Sequence, residues 1–100
     1  MVEINFEAPK VQEYCDLRVN AGMSPKSIEA AEKGLPNACF NVTIYDDNKL
    51  IGMGRVIGDG GTAFQIVDIA VNKEYLGLGD GRTLLYEIMK YIILVCEKGT

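Results

Sequence analysis

Val2, Ile4 and Phe6 alternate with polar neighbours, and that period of two predicts a strand at the start of the chain. Pro9 ends it. From Val11 to Val19 the apolar residues Val11, Tyr14, Cys15, Leu17 and Val19 crowd at helical spacing, and Gly22 is a stop signal. Ser24-Pro25 has the form of a helix start, a capping hydroxyl before a proline whose missing N–H costs nothing in a first turn. This predicts a second helix from Pro25 to Lys33, ended by Gly34 and barred from extension by Pro36. Alternation returns from Phe40 to Tyr45. Asp46-Asp47-Asn48-Lys49 is a turn, and Leu50 to Ile57 is the return strand of a hairpin. Gly52 and Gly54 inside that strand point to a bulge or a close backbone approach. After a second turn at Gly58-Asp59-Gly60-Gly61, Ala63 to Val71 is almost continuously apolar, broken only by Gln65 and Asp68. Such a strand belongs in a sheet covered on both faces. A last helix is predicted from Arg82 to about Val95, with Leu84, Leu85, Ile88, Ile92 and Val95 along one side.

The resulting order, β-α-α-β-β-β-α, is a mixed α/β pattern within one domain's length of 100 residues. Hydrophobic residues make up 48% and charged residues 24%, so the chain has a globular composition. Ten Lys and Arg against fourteen Asp and Glu give a net charge of -4, which argues against nucleic acid as a partner. No histidine is present, which excludes His-based catalysis and His-ligated zinc. Cys15, Cys39 and Cys96 form no CxxC pair, and reduced cytosolic thiols packed in the fold are the simplest reading. The N-terminus has no basic region followed by an apolar run, and the longest apolar run, Ile92 to Cys96, is too short to span a bilayer. The expectation is a soluble, cytoplasmic protein with no membrane partner.

Chemistry concentrates where the buried strand meets the last helix. Gly77, Gly79 and Gly81 alternate just before the helix. The first turn of a helix exposes free N–H groups and the positive end of its dipole. Glycines let an anion approach the backbone with no Cβ in the way. The pattern therefore reads either as a tight turn or as a cradle for a phosphate or diphosphate, with Arg82 adding a full charge. The spacing is G-x-G-x-G, so it is neither the dinucleotide fingerprint nor a P-loop.

The run Val67-Asp68-Ile69-Ala70-Val71, followed by Asn72-Lys73-Glu74-Tyr75-Leu76-Gly77-Leu78-Gly79-Asp80-Gly81-Arg82, resembles the acyl-CoA-binding motif of the GNAT superfamily of N-acetyltransferases. Leu50-Ile51-Gly52-Met53-Gly54-Arg55 is similar to another strand of these enzymes. The resemblance covers essentially the whole chain. It implies a mainly antiparallel central sheet flanked by helices, acetyl-CoA as acyl donor and an amine as acceptor, with no metal. It also implies that the backbone of Ile69, Ala70 and Val71 bonds the pantetheine arm. The N–H groups of Leu76, Gly77, Leu78, Gly79, Asp80 and Gly81, with Arg82, would hold the diphosphate. A strand amide near Ile69 or Ala70 would stabilise the oxyanion. Leu76 stands where the family has Arg or Gln, and Asp80 where an uncharged residue is usual. The family's domain continues past this helix with further strands, so residues 1–100 look like a C-terminally incomplete GNAT-like domain. Its last strand would then have an open edge, which favours a homodimer.

An ordinary amine of pKa about 10.4 is neutral about once in 2,500 molecules at pH 7, a cost near ~4.6 kcal/mol, so acetyl transfer needs a route for the proton. Gln65 matches the position of the family's frequent glutamate and cannot act as a carboxylate base. Asp68 is the only carboxylate on its strand and the candidate catalytic residue, although strict alternation turns it away from Gln65 unless a bulge resets the register. A structural hydrogen bond or salt bridge is the competing role for Asp68. Arg18 and Asn20 either reach an acceptor pocket or form a solvated helix end, and Arg55 either contacts an anionic acceptor or pairs with Asp59 or Asp68. Tyr75 is expected to pack its loop against the sheet. Besides the enzyme, the readings left open are a non-catalytic GNAT-like binding or dimerisation module and an α/β nucleotide-phosphate binder.

Overall fold

The computed structural model describes residues 2–59, 61–75 and 80–99, with the backbone alone at 80, 81, 84, 85 and 95–99. Four strands, β1 (Val2–Asn5), β2 (Phe40–Asp46), β3 (Lys49–Gly58) and β4 (Phe64–Val71), form an antiparallel sheet in the order β1-β2-β3-β4. Helices α1 (Val11–Asn20) and α2 (Ile28–Gly34) cover one face, and α3 (Asp80–Gly99) covers the other. Short 3-10 turns occupy Leu35–Asn37 and Lys73–Tyr75. This is the α+β architecture expected from the sequence, although β4 is buried only at its end, at Ala70 and Val71, and not along its whole length as expected.

Local chemistry sets the boundaries. Gly22 takes a left-handed φ of 83° just past α1, and Met23 N–H closes the turn on the Arg18 carbonyl at 2.9 Å. Between β2 and β3 the two turn residues Asp47 (φ 49°) and Asn48 (φ 70°) are both left-handed, the form that matches strand twist in a two-residue hairpin. The second helix corrects the sequence expectation. It starts at Ile28, capped by Ser27, whose Oγ accepts from Ala30 N–H at 3.1 Å. Ser24 does not cap it because its polar atoms serve another element. Its carbonyl accepts from Arg18 Nε at 2.9 Å and its hydroxyl bonds Arg18 Nη2 at 3.1 Å. The last helix begins two residues earlier than expected, at Asp80.

Two cores sandwich the sheet. Tyr14, Cys15, Leu17, Ala31, Leu35, Leu50, Met53 and Ala70 pack under α1 and α2. Val42, Ile44, Ile51, Val56, Val71 and Ile88 pack under α3. Leu50 and Ile51 point to opposite cores, and the β2–β3 register slips beside Ile44 and Tyr45, so that Leu50 and Met53 share a face despite their odd spacing.

Candidate functional site

The β3–β4 ladder is interrupted at one place. Arg55 pairs with Val67 and Met53 with Ala70, so Gly54 faces two residues of β4, Asp68 and Ile69. Asp68 has a left-handed φ of 57°, a conformation that Asp tolerates better than most residues. This bulge resets the alternation of β4. Asp68 points to the α1–α2 side, the face that Gln65 shares through its pairing with Ile57, while Ile69 points to the α3 side. The sequence allowed Asp68 to share a face with Gln65 only if a bulge reset the register, and this bulge does so. The bulge fits beside a glycine because a Cβ on Gly54 would lie 2.6 Å from Ile88 Cδ1 and 3.6 Å from Ile69 Cγ1.

Three side chains from two elements hold Asp68. Tyr14 Oη of α1 donates to Oδ2 at 2.8 Å, Arg18 Nη1 of α1 donates to Oδ1 at 2.5 Å, and Arg55 Nε of β3 donates to Oδ2 at 2.5 Å. The side chains of Arg18, Asp68 and Arg55 are 6%, 8% and 16% exposed. The guanidinium carbons of Arg18 and Arg55 lie 6.0 and 5.8 Å from the centre of the Tyr14 ring, so the two cations that share one anion also share this ring. Burial, together with the adjacent Asp68 carboxylate, raises the Tyr14 phenol above its ordinary pKa and keeps it a donor. Arg55 also donates through Nη1 to the Gly34 carbonyl at 3.0 Å, which ties the end of α2 to the sheet.

Beyond the bulge, Ile69 is 37% exposed, whereas Ala70 and Val71 are buried. β4 is the terminal strand of the sheet, and its outer edge has no strand partner among the described residues. The segment after it is anchored from both sides. Asn72 is buried, donates N–H to the Ile51 carbonyl at 2.8 Å and accepts from Glu74 N–H at 2.9 Å. Asn20 at the end of α1 accepts from Lys73 N–H at 2.9 Å. Tyr75 packs on the α3-side core and donates its hydroxyl to Asp46 at 2.8 Å, as expected for a residue fastening this loop. Leu76, Gly77, Leu78 and Gly79 lie outside the described residues. Asp80 and Gly81 open α3, and Arg82 in its first turn is exposed.

The structure thus gathers Asp68, Ile69, Ala70 and Val71 on one edge strand that runs toward the start of α3. Arg18 is not a solvated helix end but a buried member of the Asp68 cluster. Sequence reasoning missed Tyr14 and the Ser24 and Gly34 carbonyls. The one available signal was Tyr14 standing four residues before Arg18, which places both on one helix face. Cys15 is buried and Cys39 partly so, and no group of three or more Cys, Asp or Glu among the described residues could hold a metal.

A sequence model described as the Acetyltransferase (GNAT) family matches residues 7–95. Among solved structures, the chain is 62% identical to a protein from meticillin-resistant Staphylococcus aureus described as a "Probable Acetyltransferase", with a TM-score of 0.93. That match covers 96% of this chain and 72% of the other. A GNAT family acetyltransferase from Streptococcus pneumoniae shares 24% identity at a TM-score of 0.76, over 90% of this chain and 67% of its own length. Glucosamine-6-phosphate N-acetyltransferase from Arabidopsis thaliana has the same fold at 15% identity and a TM-score of 0.69, over 96% and 78% of the two chains. No curated protein matches the chain. With the family's pattern matched over nearly its whole length, this chain belongs to the GNAT acetyltransferase family.

Proposed function

We propose that the protein is an N-acetyltransferase that moves an acetyl group from acetyl-CoA to an amine. One observation carries this reading: a side-chain-held bulge on a strand whose outer edge has no strand partner among the described residues, with the helix that opens at Asp80 as the next helix of more than one turn in the chain. A strand edge offers N–H and C=O groups at regular spacing, which suits an extended amide-bearing chain such as pantetheine. A helix start offers free N–H groups, which suit a diphosphate. On this reading, residues are assigned to the donor in that order. Ile69, Ala70 and Val71 would bond the pantetheine arm through their backbone. The amides from Leu76 to Gly81, with Arg82, would hold the diphosphate.

Acetyl-CoA supplies the activated thioester. The chain's own residues position the groups around it. The bulge turns the backbone at Asp68 and Ile69 out of the regular ladder, which frees a strand amide to stabilise developing oxyanion charge. Asp68 keeps that bulge in place. Both its oxygens are committed to Tyr14, Arg18 and Arg55, so its role is positioning rather than proton abstraction. Gln65, exposed on the same face, presents an amide that can hold water near the incoming amine. The free thiols of Cys15 and Cys39 support a cytoplasmic setting.

The test is calorimetric titration with acetyl-CoA, followed by thiol release from acetyl-CoA with a panel of amines. Binding with amine-dependent thiol release is expected. An absence of heat at millimolar acetyl-CoA would remove the reading. A second reading, a non-catalytic binding or dimerisation module, is favoured by a β4 edge with no strand partner among the described residues and by the exposed Ile69, Tyr86, Met89 and Ile93. Self-association without acetyl-CoA binding would select it.

A further inference from the structure

The Asp68 cluster carries an unbalanced charge. Arg18 and Arg55 contribute two positive charges and Asp68 one negative charge, all in side chains no more than 16% exposed. A buried cation is costly unless it is paired. No other carboxylate among the described residues forms an ion pair with either arginine. The excess positive charge also has a direction. Arg55 spends Nε on Asp68 and Nη1 on the Gly34 carbonyl, and its Nη2 has no hydrogen-bond partner among the described residues. That guanidinium lines a cavity of about 160 Å³ between α1, α2 and β3, together with Tyr14, Lys26, Ala30, Ala31 and Gly34. Lys26, exposed at the cavity, brings a second cation, and among the described residues no carboxylate lines the cavity.

We propose that this cavity binds a carboxylate carried by the amine acceptor, with Arg55 and Lys26 as its cationic walls, an inference that rests on the acetyltransferase reading. The volume suits a carboxylate and a few carbons. A planar guanidinium with a free donor matches a planar anion, and a single negative charge cancels the single excess inside the cluster. The small side chains Ala30 and Ala31 complete the lining. The placement also fits the chemistry. The same guanidinium touches Asp68, the residue before Ile69, so an acceptor's acid group bound here is one side chain away from the bulge on β4. Neutral and polycationic amines gain nothing from this wall and are repelled by it in proportion to their charge.

The binding test uses N-acetylglycine, which carries a carboxylate beside an acetamide, and its carboxamide, N-acetylglycinamide. Resonances of the Arg55 side chain and the Gly34 amide are followed by nuclear magnetic resonance. Saturable shifts with N-acetylglycine alone are expected, weakened several-fold in Lys26→Gln, whose exposed site leaves folding intact. Equal shifts from both compounds, or none at tens of millimolar, overturn the inference. The turnover test compares amino acids with their carboxamides in thiol release from acetyl-CoA. The acids are expected to lead by about tenfold or more in kcat/KM, and Lys26→Gln to shrink that ratio through KM. Faster turnover of carboxamides or polyamines overturns the carboxylate assignment while leaving the acetyltransferase reading standing. If no amine turns over, the acetyltransferase reading fails, and the resonance shifts still decide whether the cavity takes a carboxylate.

Discussion

The Cβ that Gly54 lacks would sit 2.6 Å from Cδ1 of Ile88, a side chain with no solvent exposure. The sheet and α3 are therefore in contact at a point where one added methyl has no room. Gly54→Ala should push Ile88 off its packing and cost about 1–3 kcal/mol in urea unfolding. Ile88→Val removes the atom that collides. Alone it should cost about 0.5–1.5 kcal/mol, and on the Gly54→Ala background it should cost less or restore stability. Strict additivity of the two changes would mean that this contact does not decide the residue at position 54.

Removing Asp68 leaves two buried arginines without their shared anion. Asp68→Ala should cost about 3–5 kcal/mol, the range for breaking a buried ion pair by deleting one partner. Asp68→Asn keeps an acceptor oxygen and a residue that tolerates a left-handed φ, so it should be milder. Equilibrium denaturation of both variants checks the order. A loss below about 1 kcal/mol for Asp68→Ala would assign the bulge to backbone forces alone.

At the β3–β4 turn, Gly58 has a φ of 149°, and a Cβ there would lie 1.9 Å from the Ala63 carbonyl oxygen. No side-chain rotation can relieve a collision with backbone. Gly58→Ala should lower stability by about 2 kcal/mol or more and broaden the amide resonances of the turn. A variant with unchanged thermal midpoint would contradict this.

Asp59 organises the same turn. Its carboxylate accepts from the Thr62 hydroxyl at 2.7 Å and from the N–H groups of Gly61, Thr62 and Ala63 at 2.8, 2.8 and 3.1 Å. The Thr62 hydroxyl and these amides hold its pKa well below the usual carboxylate range. A depressed folded pKa means that the unfolded chain binds the proton first. Its stabilisation is full above the unfolded value near ~3.9 and drains as pH falls through the folded value. Asp59→Asn should flatten the pH dependence of stability below about pH 4, with little change in that slope at pH 7. Identical acid limbs for the two proteins would remove Asp59 from that account.

The strands and the first helix were legible because burial on alternate positions, or on one helical stripe, leaves a period in the residues themselves. Ser24 misled because its ordinary capping role is local, whereas the Arg18 head that occupies it comes from another helix. The glycines of β3 signalled a close approach, and Gly54 provides one. Which way Asp68 points was not legible, since one extra residue in a ladder inverts every face that follows. Its pairing with Arg55 was among the sequence expectations, but Arg18 and Tyr14 reach it only through the docking of α1. The glycines of the candidate diphosphate cradle, Gly77 and Gly79, fall outside the described residues, so that part of the site stands on sequence alone.

Spatial order in the sheet repeats order along the chain, and β2, β3 and β4 are joined by connections of only two and five residues. These three strands can zip together as soon as they leave the ribosome, whereas β1 must wait for both helices of the long β1–β2 crossing. Until α3 follows, the nascent sheet shows Val42, Ile44 and Val56 to water. Translation pausing before Asp80 would then strand a sticky intermediate, and docking of α3 is the event that covers this face of the sheet. Pulsed hydrogen exchange should find β3 amides protected before those of α3, and the reverse order would refute this sequence of events.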